Sequence, residues 1–153
     1  MSYEDQPAYV ESTIIMTTVR VVAPFVLTLG LFVMFHGAES AGGGFQGGVV
    51  VGSVILMLAF AFGIEAVREW LNPAMVLGVV GLGVVTFAAI GFGSVALGGA
   101  FLEYGEYGPP GLVKYGIELV ELGIGAIVTG VIVGLFFLVA GGFDANDGEE
   151  GSA

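Results

Sequence analysis

Apolar residues fill four stretches of the chain, and polar ones are confined to its ends and to the joints between the stretches. The apolar runs cover about 13–35, 48–63, 74–98 and 115–141. A bilayer core about 30 Å thick is crossed by about 20 helical residues, so the runs predict an all-α integral membrane protein of four transmembrane helices. The flanks are a polar tail over 1–12 and an acidic tail over 142–153. The second run is short and is expected to continue as helix toward Trp70.

Polar and small residues inside the runs refine this picture. Arg20 stands about two turns into the first helix, where a long basic side chain snorkels to the interface or meets a carboxylate on another helix. Pro24 removes a helical hydrogen bond and is expected to bend the same span. Gly44, Gly48 and Gly52 recur every four residues and predict a close-packed partner helix; Gly116, Gly123, Gly130 and Gly134 give the last span a similar strip. The result is a glycine-rich bundle. The joint Ile64–Pro73 (IEAVREWLNP) suits an interfacial turn anchored by Trp70, with Asn72-Pro73 opening the next helix. The third run has no ionisable residue, which leaves it a packing role. The joint Gly99–Lys114 carries a short EYG-EYG duplication, two tyrosines suited to the water interface and the Pro109-Pro110 pair. In the fourth run Lys114, Glu118 and Glu121 share one helical face, and Glu121 lies about 10 Å beyond Lys114 at 1.5 Å per residue.

Composition agrees with the membrane reading: 56% of the 153 residues are hydrophobic and 11% charged. The 28 glycines follow no collagen-like period. With no cysteine, disulfides and thiolate chemistry are excluded. A net charge of −11, with only Arg20, Arg68 and Lys114 basic, excludes a nucleic-acid binder and a basic surface anchor. Acidic groups crowd both tails, and molar salt shortens their mutual repulsion from about 8 Å to about 3 Å, so a halophilic source is expected. The first twelve residues lack a basic region followed by a small-residue cleavage site, and no cleaved signal peptide is read there.

The joint His36–Gly48, HGAESAGGGFQGG, has five glycines in seven positions (Gly42, Gly43, Gly44, Gly47, Gly48) and turns the chain at a membrane face. A phosphate-binding loop would need a preceding strand and a lysine, and neither is present. A tight re-entry turn, with Phe45 and Gln46 offered to a neighbouring helix or subunit, fits better. His36, Gly37, Ser40 and Gly42–Gly48 also resemble the loop of the B subunit of Mrp-type (Mnh-type) multisubunit sodium/proton antiporters. The related subunit of membrane-bound hydrogenases is similar. Ala41 stands where the family pattern has proline. A looser likeness covers 13–141 and includes Gly116-Ile117-Glu118.

An exchanger acting alone would bring several intramembrane carboxylates, a lysine or broken helices to the bilayer midplane, and this chain does not. It therefore reads as a small, non-enzymatic membrane subunit, and the resemblance implies a sodium/proton antiporter complex with other membrane subunits as partners. Glu118, Glu121 and His36 are the candidates to line an ion path. Gly42, Gly43, Gly44, Phe45, Gln46, Gly47, Gly48 and Gly52 are the candidates for the turn and for helix packing. No catalytic residue, metal or cofactor is called for. The alternative is a structural or ion-coupling subunit of a hydrogenase-like respiratory complex. Counting basic residues on each side, Arg20 and Arg68 against Lys114, places both termini in the cytoplasm of a prokaryotic cell, with the chain in its plasma membrane.

Overall fold

The computed structural model describes residues 12–39 and 42–147. The polar tail therefore lies outside the described residues except for Ser12, as do Ser40, Ala41 and the end of the acidic tail. Helix α1 is Thr13–Phe35, α2 Gly44–Phe62, α3 Ile64–Trp70, α4 Pro73–Ala96 and α5 Pro110–Asp147, with a 3-10 turn at Tyr104–Tyr107 before α5. Helices α1, α2 and α4 and the Gly111–Ala140 part of α5 are long and apolar enough to cross a membrane. The four expected transmembrane helices are present.

Local chemistry sets each boundary. The Ser12 hydroxyl accepts from the Ile15 N–H to start α1, and the Asn72 side chain accepts from Ala74 N–H to start α4 at Pro73. Pro24 sits inside α1 without ending it. The helix expected to run on toward Trp70 is interrupted at Gly63, whose φ of +100° is open to glycine, and α3 starts afresh beyond it. Helix α2 begins at Gly44, four residues earlier than the apolar pattern does, because its first turn, Gly44-Phe45-Gln46-Gly47, holds one apolar side chain among glycines and a glutamine. Helix α5 begins at Pro110, not near 115, since proline is favoured in a first turn where its missing N–H costs nothing. It also runs on to Asp147, so the acidic segment starts as helix.

The spans form a row, α1–α2–α5–α4, with α1 and α4 at its ends. Glycines close both seams that α5 makes with its neighbours. A Cβ added at Gly48 would come 2.7 Å from the Gly125 carbonyl oxygen, and one at Gly52 3.3 Å from Ile132 Cγ2, so the Gly44–Gly48–Gly52 strip faces α5 of the same chain. Gly123 and Gly130 instead face α4, the first 2.9 Å from Gly83 O. Thr129 Oγ1 ties the α2–α5 seam by donating to Gly48 O at 2.9 Å. Outer faces stay apolar and open: Phe25, Leu77, Leu82 and Phe92 are exposed.

Candidate functional site

At the end of the bundle opposite the start of α1, the α1–α2 joint, the α4–α5 joint and the start of α5 come together. Here α5 presents Lys114, Glu118 and Glu121 on one face, as their spacing requires. Lys114 Nζ lies 2.6 Å from Glu39 Oε1 in the α1–α2 joint and 3.8 Å from Glu118 Oε1. The bridge to Lys114 holds the Glu39 carboxyl below its usual range, chiefly through the hydrogen bond. Sequence reading placed Glu39 beside His36 but did not pair it with Lys114, 75 residues away.

Glu121 sits under that joint. A Cβ at Gly37 would overlap its Oε2, one at Gly44 would overlap its backbone oxygen, and one at Gly43 would approach Oε1 to 2.8 Å. Gly42 and Gly43 have φ of +138° and +153°, conformations that side chains rarely adopt. Gly37 and Gly43 thus close on the Glu121 carboxyl, and Gly44 on its backbone. Within this cradle Oε2 is buried with no hydrogen-bond partner, the one such side-chain atom among the described residues. Tyr104, which the sequence suggested only as an interface residue, packs its ring on Gly116. Burial pushes its hydroxyl above the ordinary phenol range.

The other candidates are placed differently. His36 is the C-cap of α1; its Nδ1 donates to Phe32 O at 3.0 Å and its ring stacks on Phe32 at 4.1 Å. Phe45 and Gln46 are exposed on the first turn of α2. Gly47 faces α1, where its Cβ would come 2.8 Å from Gly30 O. At the opposite end of the molecule the Arg20 guanidinium lies 5.1 Å from the centre of the Phe62 ring, and Arg68 reaches Glu65 at 4.0 Å. Among the described residues no cluster of three or more His, Asp or Glu is arranged to hold a metal.

Depth follows from register. Gly44 lies level with Glu121, so α5 stands eleven residues, Pro110–Val120, beyond the start of α2; at 1.5 Å per residue that is about 16 Å. A 30 Å core laid along α2 ends close to Glu121, with Lys114 and Glu118 in the headgroup zone above.

A row of four membrane-crossing helices with a carboxylate enclosed at one end defines a multi-pass membrane protein with a polar site between its two hairpins. Residues 14–134 match the family described as the domain related to the MnhB subunit of Na+/H+ antiporter, and the chain belongs to that family. It is 30% identical over 139 residues to the protein named "Putative antiporter subunit mnhB2" of Staphylococcus haemolyticus (strain JCSC1435), covering 86% of this chain and 97% of that one. A protein of the same name from Staphylococcus aureus (strain Newman) is 30% identical over 144 residues, with the same shares covered. The B subunit of the Na(+)/H(+) antiporter of Bacillus subtilis (strain 168) is 29% identical over 123 residues, 77% of this chain and 85% of that one.

Proposed function

We propose that this chain is a small membrane subunit of a multisubunit Na+/H+ antiporter, and that Glu121, with Glu118 above it, lines an ion path between the two hairpins. The family match and the relatives' names support the first part; none of these three relatives is named for a hydrogenase. The observation that carries the second is the enclosed Glu121 oxygen. Buried carboxyl oxygens are costly unless something meets them, and in a transport protein a proton or a cation does so transiently. His36, the C-cap of α1 at the start of the turn that carries Glu39, is the third candidate on that path. Partners are other membrane subunits, with sodium and protons as the ions moved. The termini face the cytoplasm of the prokaryotic plasma membrane, where Arg20 and Arg68 outnumber Lys114.

The test is exchange in vesicles that contain the whole complex. Glu121→Gln is expected to abolish sodium/proton exchange while the complex still assembles, and exchange at the wild-type rate would remove Glu121 from the path. The charge of −11 carries the halophilic expectation. A melting temperature that rises from low to multimolar salt is the expected result, and one indifferent to salt would exclude it.

A further inference from the structure

We infer that the Glu121 carboxyl carries a proton in this conformation, and that the Glu39–Lys114 bridge governs exchange of that proton with water on the loop side. The inference rests on the ion-path reading above and specifies its ligand. Oε2 is buried against Gly37 and receives no hydrogen bond, while Gly43 closes on Oε1 of the same carboxyl. An anionic oxygen there would have neither water nor a donor to hold its charge, whereas a proton on the carboxyl removes that charge. A dehydrated metal cation needs a shell of several oxygens, and among the described residues no group of three or more acidic or histidine side chains gathers here to supply one.

The ionisable groups around the site are few. Helix α5 contributes Lys114 and Glu118, the end of α1 and its turn contribute His36 and Glu39, and the α4–α5 joint contributes Tyr104. Helix α4 has no ionisable residue, and the neighbouring turn of α2 offers only Gln46. Glu39–Lys114 is the ion pair that fastens the His36–Glu39 turn to α5. When it parts, the turn moves off α5 and water reaches Oε2. The O–H bond of the carboxyl then breaks, its electron pair stays on Oε2, and the proton passes to water or to the Glu118 carboxylate one turn nearer the surface.

Carbodiimides test this, because they convert protonated carboxyls to stable N-acylureas that peptide mass mapping locates. The intact complex in vesicles is treated with lipophilic dicyclohexylcarbodiimide and, separately, with a water-soluble carbodiimide. The lipophilic reagent is expected to label wild-type Glu121 at neutral pH, with labelling that sodium at fixed pH does not change and that falls about tenfold per pH unit above the midpoint. The water-soluble reagent is expected to label Glu121 several-fold more in Lys114→Gln and Glu39→Gln than in wild type. Absence of wild-type labelling at neutral pH, or its suppression by sodium at fixed pH, would overturn the proton assignment. Equal water-soluble labelling in all three proteins would overturn the role of the bridge. Wild-type exchange by Glu121→Gln together with the expected labelling would instead defeat the ion-path reading and leave the proton assignment standing.

Discussion

The two hairpin tips on the loop side of this molecule are built in opposite ways. The α4–α5 tip stands about 16 Å higher along α5 and is tied to itself by side chains. Tyr107 donates from its hydroxyl to Ile90 O, the buried Ser94 hydroxyl lies 2.8 Å from Ala100 O, and Glu103 Oε2 accepts from Ala100 N–H at 2.6 Å. The α1–α2 tip is recessed, nearly free of side chains where it meets α5, and fastened there by the Glu39–Lys114 pair. The first tip resists deformation; the second lies over a titratable group and, among the described residues, is fastened to α5 by an exposed ion pair. A turn that must admit an ion is better made the second way, since glycine backbone moves without repacking side chains.

The largest effects are expected where the recessed tip meets α5. Gly48→Leu would push against backbone at Gly125, and Gly44→Leu against backbone at Glu121. Neither can yield as a side chain would, so destabilisation is expected at or above the usual overpacking cost of about 1–3 kcal/mol. Loss of the assembled complex on size-exclusion chromatography checks it. Gly78→Leu on α4 is the control, because nothing lies within 4 Å of a Cβ there. If all three variants assembled equally, the seam would not depend on its glycines.

Next comes the carboxylate pair. Glu121→Gln is expected to cost essentially all exchange and Glu118→Gln only part of it, because Glu118 already has Lys114 beside it whereas Glu121 Oε2 has nothing. Vesicle exchange rates rank the two, and a reversed order would place the path above the cradle. A smaller effect is expected at the raised tip. Tyr107→Phe deletes the bond to Ile90 O and should cost about 0.5–1.5 kcal/mol of thermal stability, with exchange unchanged. Lost exchange at full stability would mean that both tips take part in transport.

The sequence displayed some of this contrast and concealed the rest. Four helices were legible because long apolar runs leave few alternatives, and the glycine loop was legible as a motif. Helix ends were harder to read: the start of α2 is glycine, and α5 extends outward through residues of ordinary surface character. The contact between Gly37 and Glu121 joins residues 84 apart and depends on the helix row and its register, which no local pattern encodes. Glu39 and Lys114 carried a usable signal, opposite charges at the same membrane face, but many such pairs never meet. Tyr104 gave none, since an interfacial tyrosine looks the same whether or not a carboxylate lies beneath it.

The smallest stability effect is expected from the bridge itself. Side chains of Lys114 and Glu39 are 44% and 57% exposed, and pairs so wet add little to folding. At neutral pH, Glu39→Gln should therefore leave the melting temperature nearly unchanged. The sign of the small difference is fixed by the lowered folded-state pKa of Glu39, against 4.5 for the free group. The stabilisation is complete above 4.5 and disappears as pH falls through the lower folded value. Melting curves of wild type and Glu39→Gln should thus converge on acidification, and at neutral pH they should converge on adding salt. A gap that survived both treatments would mean that Glu39 holds the recessed tip through packing, and the two tips would then differ less than their chemistry implies.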